Sequence, residues 1–376
     1  MRFRGSKSEG LYMPLQSLHY IGKIDFSVGD KIDTINNHLI CQKYIPNTTN
    51  KISAAAGKKS RKPKKKIPIS PLFLEHVETE QLAYNLDAFN IGDYFEITLK
   101  MHGTSGRTGY LPRLVGFKRT LLDFILRREG TPIYDWGYVS GTRRVVLKDF
   151  NHGFYGDNSF REPHAKIFEG KLHKGETVYY EIVGFTNNGT PIMPEANNEK
   201  LQDKDFLKKY GKTTIFSYGC SPTGEILKHG RDEQGYFTIS QKVPVSDIYV
   251  YRMTLVNEDG DVVEYSPDFM RYRCEQMGIK TVPVLWKGII PENVWVETHS
   301  AGEWIRNVAE DYCDGPDPIG KTHIREGVVI RIINRPNFCA YKYKNFNFKV
   351  LSGIAASLAA ESGAIDTMDE DRIAEL

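Results

Sequence analysis

The sequence has 376 residues, of which 40% are apolar and 12% aromatic, so it can bury a sizeable core and form two or three domains. Charged residues nearly cancel at +3, so net charge does not mark a nucleic-acid binder, and any basic surface must come from local clustering. The five cysteines form no CxxC pair, which argues against a zinc site and indicates reduced thiols in an intracellular, cytoplasmic protein. Without an apolar run of 18 residues, neither a membrane span nor a membrane partner is expected.

Residues 1–70 are predicted to form a small N-terminal β module. Residues 18–45 alternate apolar and polar side chains and predict two or three short strands. The segment 47–66 ends in a run of lysines and arginines that cannot bury a face, which predicts a mobile basic loop. Two interpretations stay open for this loop, a contact with an RNA backbone and a solvated insertion.

The remainder is rich in strands, and its helices do not follow strict βαβ order, which predicts an α+β domain with antiparallel sheets over residues 71–350. Ser266, Pro267 and Gly278 bracket one helix as its N-cap, first turn and C-terminal stop. An insertion is expected around 185–246, and 351–376 is expected to be a short acidic helix or tail. Strands are predicted at 94–100, 138–147, 177–184, 214–218, 248–255, 326–333 and 338–350.

The strand 94–100 ends at Lys100. Phe95, Ile97 and Leu99 share the face that is expected to enter the core, and Lys100 lies on the opposite face. The following residues, 101–106, are mostly small and predict an open turn that lets a phosphate approach the backbone. A lysine in such a place is more often an ordinary surface charge, so this strand alone does not define a site.

The run K-M-H-G-T-S from Lys100 to Ser105 resembles the nucleotidyl-acceptor motif of covalent nucleotidyltransferases, in the RNA-ligase form K-x-H-G-T-(N/S). Later motifs of that superfamily are resembled, in the same order, by segments 139–144, 177–184, 247–251, 325–331 and 341–344. The run R-E-G-V-V-I-R at 325–331 is the most specific of these. On motifs that span roughly residues 72–350, the chain resembles ATP-dependent RNA ligases of the RNA ligase 2-like branch.

The resemblance implies a nucleotidyltransferase (ATP-grasp-like DNA/RNA ligase) fold, in which antiparallel sheets flank the ATP site. It implies that Lys100 carries AMP and that Lys342, Lys344 and His102 assist catalysis. It also implies that Glu326 and Glu181 hold Mg²⁺, with Mn²⁺ as a possible substitute, although Glu181 could hold the ribose hydroxyl instead. The residues expected to bind the nucleotide are Leu99, Lys100, Ser105, Arg143, Glu181, Tyr251, Glu326, Lys342 and Lys344.

The chemistry agrees with these residue types. Lysine must be neutral to attack a phosphate, and nearby cations such as Lys342 and Lys344, which share a strand face, oppose its protonation. They would also stabilise charge on the phosphate, whereas the alternative is an edge strand with exposed lysines. Carboxylates supply the hard oxygen ligands that Mg²⁺ prefers.

Other roles stay open. Tyr251 could stack on adenine or pack in the core, and His102 could act in sealing or be an ordinary turn histidine. Either Arg143 or Arg144 could contact phosphate, since adjacent strand residues face opposite ways. Leu99 stands where the family often has an acidic residue, and Ser105 where it often has asparagine.

The sequence therefore predicts a monomeric ATP-dependent RNA ligase. It would join 5′-phosphate and 3′-hydroxyl RNA ends through a lysyl-AMP and then an adenylated RNA intermediate. An ATP-dependent DNA ligase and a non-catalytic RNA-binding protein on a ligase scaffold are the alternatives.

Overall fold

The chain divides into two compact units, Met1–Lys66 and Ile67–Leu376. In the first unit, Arg2–Phe3 pairs with Ser6–Lys7, and Thr34–Ile35 pairs with His38–Leu39. The basic segment 47–66, most of 18–45 and the tail from 354 onward lie outside the described residues, and the domain boundaries stay predictions. The computed structural model describes residues 2–3, 6–7, 34–35, 38–39, 67–77, 79–125, 130–150, 159–226, 241–294, 298, 300–335 and 337–353.

Two five-stranded sheets form the framework of the second unit. The strands in chain order are β1 (Glu80–Gln81), β2 (Tyr94–Lys100), β3 (Thr104–Lys118), β4 (Thr131–Gly141), β5 (Glu176–Gly184), β6 (Ser246–Val256), β7 (Val262–Glu264), β8 (Val284–Ile289), β9 (Gly327–Ile332) and β10 (Cys339–Lys344). The first sheet has the order β7-β6-β5-β3-β4, and the second has the order β8-β2-β9-β10-β1. The predicted antiparallel sheets are confirmed, except that β10 and β1 run parallel.

Helices lie between the strands, so the architecture is mixed. They are α1 (Leu121–Ile125), α2 (Arg161–Lys166), α3 (Lys204–Tyr210), α4 (Pro267–Met277), α5 (Ala301–Cys313) and α6 (Phe346–Leu351). The stretch 185–246 carries α3 and two pairs of two-residue strands in its described part. None of the described helices has the length and apolar character needed to cross a bilayer.

Helix α4 begins and ends as the sequence predicts. Ser266 accepts a hydrogen bond from the Phe269 amide, and Pro267 occupies the first turn. Gly278 ends the helix with a positive φ of 68°, a conformation that costs glycine little.

Burial of its apolar face sets the orientation of strand β2. Phe95 and Ile97 are fully buried in a cluster with α5, and Leu99 is 2% exposed in a neighbouring cluster. Burial of each such side chain stabilises the fold by about 1.5–3 kcal/mol. Because these residues alternate with the polar ones, their burial holds the opposite face of β2, including Lys100, toward the space beside the sheet.

Several predicted strand boundaries are wrong. The strand predicted at 338–350 ends at Lys344, because Asn345 accepts a hydrogen bond from the Phe348 amide and begins α6. The strand predicted at 138–147 ends at Gly141, where Thr142 and Val145 form a turn. The strand predicted at 214–218 is reduced to Thr213–Thr214, since the chain turns at Tyr218, which has a φ of 48°.

The sequence does not predict strand β3, because its first residues are small and indicate a turn. It is 15 residues long and begins at Thr104, so only residues 101–103 separate it from β2. The open turn expected at 101–106 is therefore half as long as expected, and Ser105 lies on a strand opposite Glu181.

Candidate active site

The register of the second sheet brings three lysines onto one face. Lys100 is opposite Gly327, which is opposite Lys344, and Thr98 is opposite Val329, which is opposite Lys342. Directly opposed residues in antiparallel strands point to the same side of a sheet. The three lysines therefore share the β2 face that is not buried in the core, although β10 is far from β2 in the sequence.

A cavity beside this face takes its lining from both sheets. The second sheet contributes Lys100, Lys342 and Lys344, and the first sheet and its connections contribute Ser105, Arg143, Glu181 and Tyr251. Eight of the nine residues expected to bind the nucleotide line this cavity, and the ninth, Glu326, lies directly behind it. Of the two candidate arginines, Arg143 lines the cavity and Arg144 does not.

Glu326 is the charge centre of the site. Its Oε1 atom lies 2.5 Å from Lys100 Nζ and 3.7 Å from Lys344 Nζ, and its side chain is 1% exposed. Burial opposes its charged form, but Lys100, His102 and Lys344 together hold the pKa of Glu326 well below its usual value. The carboxylate is therefore ionised at neutral pH, and it aligns the nucleophile candidate with a second lysine.

This depressed pKa predicts a dependence of stability on pH. An unfolded glutamate has a pKa of about 4.3, so the stability that Glu326 contributes is present above that pH and is lost as the pH falls toward the folded value. We expect the free energy of unfolding to decline on acidification below about pH 4 more steeply in the wild type than in Glu326→Gln. Urea titrations at successive pH values measure this, and equal acid slopes would contradict it.

His102 lies behind the carboxylate and does not line the cavity. Its ring is 8% exposed, packs edge-on against Phe216 and Phe348, and places Nδ1 3.5 Å from Glu326 Oε2. Its backbone amide donates to the Tyr218 hydroxyl at 2.7 Å. These contacts favour a role in holding Glu326 over direct contact with a substrate.

Leu99 differs from the expectation for a nucleotide contact. Its side chain belongs to a hydrophobic cluster and is 2% exposed, although the residue lines the cavity. Any contact with a nucleotide would therefore be made mainly through its backbone. Ser105 Oγ donates to Glu181 Oε2 at 3.5 Å, so the second carboxylate is positioned by a neighbouring strand.

Sequence reasoning assigns no role to the far end of the cavity, which is lined by Glu96, Arg331, Phe338 and His76. Glu96 could have been identified from the sequence, because it lies on the same face of β2 as Lys100. His76 belongs to no motif, and its ring centroid lies 5.1 Å from that of Tyr251. Burial, and then the charges of neighbouring arginines, hold the pKa of His76 well below its usual value, so the wall carries a neutral imidazole.

Glu326 and Glu181 suit a divalent cation that is bound jointly by protein carboxylates and substrate phosphates. Glu326 Oε2 is buried and lies 3.5 Å from His102 Nδ1, without a hydrogen bond of normal geometry from the described part of the chain, so this hard oxygen could also bind a cation. Among the described residues, no group of three or more His, Cys, Asp or Glu side chains could hold a metal. Mg²⁺ is commonly bound by one or two carboxylates together with substrate phosphates, and Glu326 and Glu181 suit that arrangement.

Solved structures of an RNA ligase are similar to this chain. The Naegleria gruberi RNA ligase with PPi has 15% sequence identity, over 96% of this chain and 75% of that chain, at a TM-score of 0.45. An arginine-to-alanine mutant of that ligase with ATP and Mn has 15% identity, over 96% and 75%, at 0.44. A lysine-to-methionine mutant with AMP and Mn has 14%, over 92% and 73%, at 0.42.

The sequence matches no protein-family model and no curated protein. The geometry of the cavity therefore carries the functional argument.

Gly327 allows β9 and β10 to approach each other closely. A Cβ atom at this position would meet the Tyr343 carbonyl oxygen and lie 2.8 Å from Lys344 Cα, and neither backbone atom can easily move away. We expect Gly327→Ala to lower the free energy of unfolding by about 1–3 kcal/mol and to displace Lys344 from Glu326. Urea unfolding measures the loss.

Gly116→Ala is a matched control, because a Cβ atom at Gly116 would have no neighbour within 4 Å. An equal loss of stability in both variants would contradict this explanation of Gly327.

Proposed function

We propose that this protein is an ATP-dependent RNA ligase that carries AMP on Lys100. The observation that carries the proposal is the shared position of Lys100 and Lys344 on one oxygen of the buried Glu326, beside a cavity that Lys342 also lines. An exposed edge strand would not bring two lysines to one buried carboxylate. The nucleotidyltransferase fold, with ATP between two antiparallel sheets, is part of this proposal.

In the first step, Lys100 Nζ attacks the α-phosphorus of ATP. A phosphorus–nitrogen bond forms and the bond to pyrophosphate breaks. The ammonium loses one proton to solvent before the attack and a second as the bond forms, so the phosphoramidate nitrogen keeps one. Glu326 holds Lys100 Nζ at 2.5 Å and so orients it, although this contact favours the charged amine. The charges of Lys342 and Lys344 act in the opposite direction and favour loss of its proton. The same two lysines stabilise negative charge that grows on the phosphate.

The opposite wall supplies recognition groups. Tyr251 can stack on the base, Glu181 can accept from the ribose or hold the metal, and Arg143 can contact phosphate through two parallel hydrogen bonds. Mg²⁺ or Mn²⁺, held by Glu326 and Glu181, would neutralise phosphate charge when bound. The backbone of Leu99 and the hydroxyl of Ser105 complete the proposed nucleotide contacts.

Two further transfers complete the cycle. AMP passes from Lys100 to an RNA 5′-phosphate, which breaks the phosphorus–nitrogen bond and forms a pyrophosphate linkage. An RNA 3′-hydroxyl then attacks that 5′-phosphate, forms a phosphodiester and releases AMP. Arg143 is the residue that we propose to hold an RNA-end phosphate during these steps.

Incubation with ATP labelled at the α-phosphate, with Mg²⁺ and without RNA, tests the first step. We expect a covalent protein–AMP adduct that passes its label to 5′-phosphorylated RNA. A protein that only binds RNA would form no adduct, and the proposal would fail. Nicked RNA and nicked DNA compared in parallel separate the RNA ligase from the DNA-ligase alternative.

A further inference from the structure

A second groove lies on the first sheet, against strand β4. Its half-buried lining is apolar and includes Leu114, Leu147 and Phe150. Tyr138 also lines it, with its ring stacked on Tyr110 at 4.8 Å between centroids. The segment after β4 is held beside the strand by a hydrogen bond from the Leu147 amide to the Ser140 carbonyl, at 2.9 Å. The groove therefore lies between β4, the segment that follows β4, and α2.

The rim of the groove is basic. Arg113, Lys148 and Lys166 are exposed and line it, together with one exposed carboxylate, Glu169. Lys166 is paired with Glu162 at 2.7 Å, but neither Arg113 nor Lys148 forms an ion pair with a described residue. The rim thus keeps an excess of positive charge around the apolar groove.

The groove and the active-site cavity are joined by one stretch of chain. Ser140 lines the groove, and Arg143 lines the cavity. Three residues span at most about 11 Å. Ser140 and Ser105 lie on opposite faces of the first sheet, so an RNA strand held at Arg143 reaches the groove by passing around the edge strand β4 within a few nucleotides.

We propose that the β4 groove binds a nucleotide of the single-stranded RNA end that enters the active site. Phe150 offers a ring for a base to stack on, and Arg113 and Lys148 hold the flanking phosphates. Aromatic rings combined with cations that follow the backbone are the usual means of binding single strands without reading their sequence. This inference rests on the proposed function, because it assigns a subsite to the same substrate.

The double variant Arg113→Ala/Lys148→Ala tests the cations. We expect formation of the protein–AMP adduct without RNA to stay within about twofold of wild type, because ATP does not reach the groove. Binding of a fluorescent 5′-phosphorylated single-stranded RNA should weaken roughly tenfold at low salt. The slope of log affinity against log salt should become shallower by about 1.4, at about 0.7 for each RNA phosphate that the protein no longer neutralises.

The variant Phe150→Ala tests the apolar lining of the groove separately. It should weaken binding of the same RNA by about fivefold or more without changing the salt slope, because a stacked base is lost and no charge is removed. The matched control is Lys204→Ala/Lys208→Ala, which removes two exposed lysines from α3 that line neither cavity. Its salt slope and affinity should match wild type.

An unchanged salt slope in Arg113→Ala/Lys148→Ala, or an equal loss in the α3 control, overturns the inference. Adduct formation that fails together with RNA binding in the groove variants overturns it as well, since the damage would then be general. If the wild type forms no adduct, the proposed function fails. RNA binding is measured without the adduct, so the two failures remain distinct.

Discussion

Replacing Lys100 by arginine is expected to abolish formation of the protein–AMP adduct, by about 10⁴-fold or more. Arginine keeps a positive charge beside Glu326, so the site should stay folded, but its guanidinium does not lose its proton in proteins and cannot attack phosphorus. Intact-protein mass spectrometry after incubation with ATP and Mg²⁺ measures the adduct. Melting curves show whether the variant is folded.

Lys287→Arg is the matched control for this change. Lys287 is on β8 of the same sheet and pairs with Asp268 and, at 3.8 Å, with Glu96, so it lies outside the lysine group around Glu326. This variant should form the adduct at the wild-type rate. Full adduct formation by Lys100→Arg would show that another residue is the acceptor.

Replacing Glu326 by glutamine is expected to slow adduct formation by about 10²-fold and to destabilise the fold. The change keeps the shape but removes the negative charge that lies between Lys100 and Lys344. Breaking a fully buried ion pair by removing one partner costs about 3–5 kcal/mol. Lys100 is 24% exposed, and solvent screens its charge, so we expect a loss of about 2 kcal/mol in urea unfolding.

A double-mutant cycle with Lys344→Met separates this electrostatic effect from general damage. If Glu326→Gln lowers the free energy of unfolding because the two lysines then repel each other, the loss should fall by about half when Lys344 is replaced by the neutral methionine. An unchanged cost in the Lys344→Met background would mean that repulsion between lysines is not the cause.

The parts of the site that follow from local alternation could be predicted from sequence. Two-residue periodicity places Lys100 opposite Phe95, Ile97 and Leu99, and it also puts Lys342 and Lys344 on one face. The structure brings these three lysines to one cavity. The same rule could have identified Glu96 as a cavity residue, since it lies four positions before Lys100 on β2.

The parts that depend on distant segments could not be predicted. Whether Asn345 continues a strand or caps a helix depends on where Phe348 can pack, and Phe348 is fully buried against a cluster of remote residues. His76 precedes both sheets and matches no motif, so nothing local connects it with Tyr251. His102 was recognised in its motif, but its burial behind Glu326 depends on Phe216 and Phe348.

The alternation on β9 also protects the site against misassembly. Val328 and Ile330 are fully buried, whereas Val329 and Arg331 face the cavity. If β9 slipped by one residue against β2, Arg331 would enter the hydrophobic core and Ile330 would face the nucleotide cavity, at a cost of several kcal/mol. Such a slip would consume a large part of the roughly 5–15 kcal/mol by which a domain is stable, so misaligned forms of this catalytic face are sparsely populated.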